Sequence, residues 1–408
     1  MVPAIPKVAL LVETSREYGR GLLRGIVRYA SLHGPWTFHL SPGDFAQTLP
    51  QMLEWGGCGI IARIENSTVA RAILETGLPL VALDLSADQR KTGSPLADVC
   101  EVRSDSECAG HLAAEHLLER GFRHYGFVGL AGRIWSDLRE QAFTRRLQRS
   151  GYTLCRYASP RRREDQDWGR EQRRLEQWLI ELPKPVGILA CNDDRGRQVL
   201  EACRMIGVKV PEEVSVIGID NDELLCELSC PPLSSVRLNP EQGGYRAAEL
   251  LDRMMRNRAC GLPAYDEVSC GPKRILVEAT WVVRRRSTEI DVSDDREVAA
   301  ALSYIRDHAG MGVNVNDVAS AVSLSRRSLE LRFRASLGRT IHEMIERMKL
   351  DRAVRILAET DLCVEEAAEA SGFTTASHFV QVFRRRIGTT PAKYRQRSRM
   401  RDPNTKDS

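Results

Sequence analysis

A chain of 408 residues is too long for one typical domain and predicts two or three. Its 42% hydrophobic and 28% charged residues are ordinary for a globular protein with a sizeable core. No apolar run approaches the roughly 18 residues needed to suggest a membrane-spanning helix.

From the N-terminus, MVPAIPKVALLVETSREYGRG places Lys7 before a short apolar stretch that runs directly into charge. This reads as a buried strand. A signal peptide needs a longer apolar region and a small-residue cleavage site, so a cytoplasmic protein is expected. KVALLVE, GCGIIARI, PLVALDL, YGFVGL, VGILACND and VSVIGID are short apolar runs bounded by turn residues. Between several of them lie amphipathic helical stretches, such as 20–32, 106–120 and 194–206. Continuous apolar strands alternating with helices predict parallel sheets covered on both faces, with ligands binding beyond the carboxyl ends of the strands. Asn192, Asp193 and Asp220 fall at such ends, as do Arg63 and Asp84; for the last two an ordinary surface ion pair is an equally good reading. Asp193 also suits the N-cap of the following helix.

Eleven cysteines are scattered through the chain without a Cys-x-x-Cys, and the nearest pair, Cys226 and Cys230, has no second pair to complete a zinc site. Buried free thiols in a reducing compartment are expected, with no metal and no cofactor. A nucleophile elbow, a P-loop, His-Glu-x-x-His and a paired-glycine dinucleotide fingerprint are all missing, so an enzyme is not expected.

Around Arg284 the character changes. RRRSTEIDVSDDRE is charged and nearly free of large apolar residues, which places a linker at 286–295 between an α/β domain over 1–285 and an all-helical domain over 296–400. Residues 402–408 read as a frayed end. The net charge of +4 belongs to this second part: residues 292–408 carry 20 Lys and Arg against 16 Asp and Glu, and the first 291 balance. Within 370–401 there are eight basic residues and no acidic one. A local positive surface suits phosphate contacts, and equally a solvated basic tail.

The second part repeats itself. VNVNDVASAVSLSRRSLELRFRASLG answers CVEEAAEASGFTTASHFVQVFRRRIG at an offset of 49, then 50. Each copy reads as helix, tight turn and capped second helix, over about 313–338 and 362–388. Gly372 supplies the second turn and Thr374 or Thr375 its cap; Ser323 and Ser325 do comparable work in the first. Leu329 with Phe333, and Phe379 with Phe383, lie at i and i+4 and pack inward. Arg326, Arg327, Glu330 and Arg334 are left outward on the first unit, and Ser377, His378, Gln381 and Arg384 on the second. In a helix-turn-helix that face enters the major groove, where Arg reads guanine, Gln adenine and Glu cytosine. Arg385, Arg386, Lys393 and Arg395 suit phosphate contacts.

The second unit, SGFTTASHFVQVFRRRIGTTPAKYR, closely resembles the signature of AraC/XylS-type DNA-binding domains, which implies double-stranded DNA as partner and makes 341–360 the helix joining two helix-turn-helix units. Leu331 and Ala376 stand where that family often places polar contacts. The block GILACNDDRGRQVLEACRMIGVKVPEEVSVIGIDN and the later PPLSSVRLNPEQGGYRAAELL resemble the two-lobed, periplasmic-binding-protein-like sensor of LacI-type repressors. That resemblance implies a small sugar-like effector, a pentose such as xylose first. It makes Arg139 a ligand contact and directs attention to Tyr18 and Arg20 in the first strand-to-helix loop. Trp135 suits the apolar face of a sugar and equally a packed core. Together the two likenesses imply a homodimeric activator, with RNA polymerase as a further partner, in which ligand closes the lobes around Arg139, Asp193 and Asp220. A binding module without such coupling is the less economical reading.

Overall fold

The structure is a computed structural model and describes residues 5–40, 54–157, 168–266, 273–290, 295–387 and 389–399. Gly388, the residues at 291–294 and the expected frayed end at 402–408 lie outside the described residues. The chain divides into two compact units, Met1–Ile290 and Asp291–Ser408.

The central strands of the first unit are apolar along nearly their whole length because both faces are covered. β1 (Lys7–Leu11), β2 (Thr37–Leu40), β3 (Gly59–Arg63), β4 (Leu80–Leu83), β5 (Cys100–Ser104) and a later strand, β11 (Arg274–Val277), form one parallel sheet in the order β11-β5-β4-β3-β1-β2. β6 (His124–Val128), β7 (Leu154–Tyr157), β8 (Val186–Ala190), β9 (Val214–Asp220), β10 (Ser234–Leu238) and β12 (Ala279–Val283) form the other, ordered β12-β10-β9-β8-β6-β7. The expectation of parallel sheets holds except at one edge, where β12 runs antiparallel to β10. Each sheet is the base of one lobe. Register pairs Leu11 with Ala62 and Arg63 with Leu83, so the carboxyl ends of β1, β3 and β4 finish level.

The helices that matter for the site are α1 (Glu17–His33), α2 (Ser67–Glu75), α3 (Ser106–Leu118), α4 (Ile134–Gln148), α5 (Trp168–Glu181), α6 (Asp193–Met205), α7 (Glu223–Leu228) and α8 (Pro240–Ala259). α1 and α8 cross backbone to backbone, because a Cβ on Gly244 would lie 1.9 Å from the Leu22 carbonyl oxygen and one on Gly25 equally close to that of Glu241. This close crossing fixes the start of α1, and with it Tyr18 and Arg20, which stand in the first turn of that helix and not in the preceding loop expected from the sequence.

Arg286–Thr288, read from sequence as the start of the linker, is instead a 3-10 turn whose Ser287 and Thr288 are fully buried in the first unit. Their hydroxyls find partners on the sheet, which a charged, apolar-poor stretch does not advertise. The cysteines also differ from expectation: among the described residues Cys100, Cys191, Cys203 and Cys226 are buried, but Cys58, Cys155, Cys230, Cys260 and Cys363 are exposed. Among the described residues no helix is long and apolar enough to cross a membrane.

In the second unit the described elements are helical. α9 (Arg296–His308) precedes α10 (Val315–Ala321) and α11 (Arg326–Leu337); α12 (Ile341–Glu359) leads to α13 (Val364–Ala370), α14 (Ala376–Ile387) and α15 (Pro391–Arg399). There are two small cores, and α12 serves both: Ile341 and Ile345 pack with Leu302, Leu329 and Phe333, while Leu350 and Leu357 pack with Phe379 and Phe383. A reciprocal cap starts α12: the Thr340 hydroxyl accepts from the Glu343 amide, and the Thr340 amide donates to the Glu343 carboxylate, the main cause holding that carboxyl below its usual range.

Candidate functional site

The cleft lies where the carboxyl ends of both sheets converge. One lobe supplies Glu13 and Arg16 from the β1–α1 loop, Tyr18 from the first turn of α1, Arg63 from the end of β3, Asp84 after β4 and Ser104 at the end of β5; the other supplies Trp135, Arg139, Asn192 and Asp220. Each lobe neutralises its own charge. Arg63 Nη2 bonds Asp84 Oδ2 at 2.9 Å, and Arg139 Nη2 bonds Asp220 Oδ1 at 2.9 Å. The Arg139 side chain is 3% exposed, donates also to the Cys191 carbonyl, and lies 5.0 Å from the centroid of the Trp135 ring. The remaining lining charges, Glu13 and Arg16, are of opposite sign, so the wall is neutral overall.

Two polar groups in this wall are uncommitted. The Tyr18 hydroxyl and the Arg139 Nε are buried without a hydrogen-bond partner. Burial, reinforced by Asp84, holds the Tyr18 phenol well above its usual range, so it stays a neutral donor and acceptor. Burial also raises the Asp220 carboxyl, with Arg139 opposing.

Sequence reasoning singled out seven residues here, and five line the cleft: Tyr18, Trp135, Arg139, Asn192 and Asp220. Asp193 does not. Its carboxylate accepts from Ser235 Oγ and from the Asp222 amide at 2.7 Å, behind the wall, and burial followed by the charge of Asp220 pushes its pKa well up. Nor does Asp193 cap α6; Asn192 does, accepting from the Arg195 amide at 3.0 Å. Arg20 is turned away as well, donating to the Thr14 and Ser15 carbonyls and to Asp222 at 2.9 Å. Glu13, Arg16 and Ser104 were missed. Arg16 and Glu13 stand in the loop just before Tyr18, a signal available in the sequence; Ser104 ends a strand too polar to notice. Arg63 and Asp84, weighed as a surface pair, are a pair in the cleft.

Among the described residues, the lobes are bridged at three places on the rim of the cleft. Arg16 meets Asp194 at 2.7 Å, Arg133 meets Glu65 at 3.0 Å, and Asp222 accepts both Arg20 and the Glu17 amide at the start of α1.

The second candidate surface is built by α11 and α14. Ser323 takes a left-handed turn (φ +55°) and Ser325 caps α11; Gly372 (φ +82°) makes the second turn and Thr375, of the two threonines considered, accepts from the His378 amide at 3.2 Å. Leu329, Phe333, Phe379 and Phe383 are fully buried. Arg326, Arg327, Arg334, Ser377, His378, Gln381 and Arg384 are exposed, and Glu330, half-buried, pairs with Arg326 at 2.9 Å. Leu331 is 65% exposed on the first helix, and Ala376 packs partly against the second core. Two of the arginines assigned to phosphate have partners within the unit. Arg385 pairs with the buried Glu346 at 3.0 Å, with His378 3.5 Å away, and Arg395 donates to the Leu362 carbonyl.

Comparison with known proteins identifies both kinds of domain. Residues 7–100 match the XylR N-terminal domain, 114–288 the periplasmic binding protein-like domain and 318–397 a helix-turn-helix domain. The xylose operon regulatory protein of Escherichia coli (strain K12) is 33% identical over 393 residues, 95% of this chain and 96% of that one. Its counterpart in Haemophilus influenzae (strain ATCC 51907) is 31% identical, over 95% and 98%. The solved structure of the xylose-binding transcription activator XylR covers 97% of this chain and 99% of its own at a TM-score of 0.61 and 32% identity. A CelR-cellobiose complex, 22% identical with a TM-score of 0.55, shares the fold over 70% of this chain and 86% of its own. With a sugar-sensor fold and a DNA-binding domain in one chain, and identity above 30% along nearly its whole length, the chain belongs to the xylose operon regulatory protein family of transcription regulators.

Proposed function

We propose that the chain binds a neutral pentose, D-xylose first, between its lobes, and that the ligand-bound form, a cytoplasmic homodimer, activates transcription at paired half-sites with RNA polymerase. The observation that carries the ligand class is the charge pairing of the cleft: Arg63 with Asp84, Arg139 with Asp220, and, among the described residues, no surplus cation for a phosphate. Carboxylates and guanidinium groups placed in this way accept from and donate to vicinal hydroxyls, and Trp135 offers an apolar face. On the DNA side, Arg326, Arg327, Glu330, Arg334, Ser377, His378, Gln381 and Arg384 are the proposed contacts, with the exposed side chains of α11 and α14 in successive major grooves.

The ligand is tested by melting the protein with D-xylose, other pentoses, hexoses and xylose 5-phosphate. At 100 times the Kd a ligand adds about 2.7 kcal/mol of stability. A shift with D-xylose and none with the phosphate is expected; a shift with the phosphate and none with any free sugar overturns the ligand class. For DNA, duplexes selected from a random pool by the wild type and by Arg327→Ala/Gln381→Ala should differ in sequence, since each lost base contact relaxes about 1–3 kcal/mol of discrimination. Identical selected sequences refute the assignment of the reading faces.

A further inference from the structure

Between β9 and α7 the chain has only two residues, Asn221 and Asp222, and with Asp220 they form a loop whose three side chains face three different parts of the first unit. Asp220 is in the cleft wall, held by Arg139. Asp222 reaches the opposite lobe, accepting from the Glu17 amide and from Arg20, both at 2.9 Å. Asn221 faces away from the cleft: its Oδ1 accepts from Arg285 Nη1 at 2.9 Å, and its amide donates to Ser235 at 3.0 Å. Asp220 (φ +112°) and Asn221 (φ +53°) both hold left-handed backbone that residues other than glycine rarely adopt. Such a conformation persists only where surrounding bonds impose it, and it clusters at ligand sites and switches.

Arg285 begins the segment by which the chain leaves the first unit. The rest of that segment is fastened to the sheet itself. Ser287 Oγ donates to the Val216 carbonyl at 2.6 Å and accepts from the Ser234 amide, while the Thr288 hydroxyl bonds His116 Nε2 and Ser234 Oγ, each at 2.8 Å. Arg285 is the residue of this segment that donates to the Asn221 side chain. Its side chain is 11% exposed and also bonds Glu227 at 2.7 Å and the Leu233 carbonyl at 3.0 Å. The loop thus meets the ligand wall, the opposing lobe and the exit segment within three residues.

We propose that the Asn221–Arg285 hydrogen bond couples the cleft to the chain leading to the DNA-binding unit. Ligand contact at Asp220 and lobe closure at Asp222 reset the loop from its two ends, and Asn221 passes that change to Arg285. Arg285 is a positioning residue: it touches no ligand and acts through the segment it orients. The inference rests on the reading of the cleft as a sugar site, and it adds the route by which occupancy is sensed.

Asn221→Gly tests it, because glycine keeps the left-handed backbone while the Oδ1 acceptor goes with the rest of the side chain. Asn221→Asp keeps the acceptor and serves as the conservative control. Arg285→Ala is avoided, since it strips the charge facing Asp193 and Glu227. In the full-length protein, amide exchange over 283–290 is followed with and without D-xylose, beside the melting shift. D-xylose is expected to slow exchange by at least about fivefold in the wild type and in Asn221→Asp, the lower end of typical coupling. In Asn221→Gly the slowing falls below about twofold while the melting shift remains. Equal slowing in Asn221→Gly, or a wild-type melting shift without slowing, overturns the coupling and leaves the sugar reading intact. No wild-type melting shift with D-xylose overturns the ligand reading and the inference with it.

Discussion

Replacing Arg139 with methionine removes the one guanidinium bonded to Asp220 and keeps most of the apolar stem. The pair is buried, with Arg139 3% and Asp220 16% exposed, so the loss leaves a carboxylate in a low-dielectric wall beside a second buried carboxylate, Asp193. Breaking such a pair from one side costs about 3–5 kcal/mol, against a total stability of roughly 5–15 kcal/mol for a domain. At a urea slope near 3 kcal/mol/M the midpoint should fall by about 1–1.7 M. The pH dependence follows from Asp220. Burial already raises its folded-state pKa while Arg139 opposes; without Arg139 it rises further. A carboxyl with a raised folded pKa is fully accommodated below its unfolded pKa, and stability is lost as pH rises through the folded value. The penalty should therefore be larger at about pH 8 than at about pH 5. All six tryptophans, at 36, 55, 135, 168, 178 and 281, lie in the first unit, so fluorescence-detected titration of the full chain without sugar reads that unit alone. Arg139→Met/Asp220→Asn should regain much of the loss while sugar binding stays abolished. A midpoint drop below about 0.3 M, or one equal at the two pH values, refutes the argument.

Asp193→Asn should gain stability relative to the wild type as pH rises from about 5 to 8. Burial and Asp220 raise the wild-type carboxyl, whose stability contribution is lost through its folded pKa; a melting difference that does not change with pH contradicts this. Phe383→Ala empties a fully buried site and should cost the second unit about 3–5 kcal/mol. DNA binding is then lost, while the sugar-dependent shift in tryptophan-detected melting survives; loss of both means the two units are not separable. Glu346→Gln releases Arg385 from its 3.0 Å pair, so the slope of log affinity for DNA against log salt should steepen by about one. An unchanged slope means that Arg385 does not meet phosphate.

The six strands legible in the sequence are those buried on both faces, whose apolar runs are unbroken. The others carry polar residues with partners that no local pattern reveals. Glu101 in Cys100–Ser104 accepts from the Leu85 amide, and Ser234 and Ser235 in β10 bond the exit segment and Asp193. The helix-turn-helix units were legible because their signal is repeated. In the cleft, sequence identified the right strand ends but could not rank neighbours within them. Asn192, Asp193 and Asp194 start one helix, and each step turns the side chain by about 100°. The first caps the helix, the second points at β10, and the third meets Arg16 across the cleft. The same rotation separates Tyr18, in the wall, from Arg20, which folds back on the preceding loop.

The charge pairs of the first unit fall into two kinds, and the difference bears on how it can switch. Arg63–Asp84 and Arg139–Asp220 lie within one lobe each and persist whatever the lobes do. Arg16–Asp194, Arg20–Asp222 and Arg133–Glu65 span the lobes and exist only when these are close. In each spanning pair the arginine is more than a third exposed, so each bridge contributes about 0–1 kcal/mol. Three together give at most about 3 kcal/mol, too little to lock the lobes shut. Driving a two-state equilibrium from 1:99 to 99:1 takes about 5.5 kcal/mol of differential affinity, a ligand bound about ten-thousandfold more tightly by the closed form than by the open one. A small neutral sugar can supply that through a few hydroxyls bonded to both lobes, provided the wall charges are already satisfied and need no counter-ion. Closure is then set by the ligand, and the loop at Asp220–Asp222, which touches ligand wall and opposing lobe at once, is where it registers.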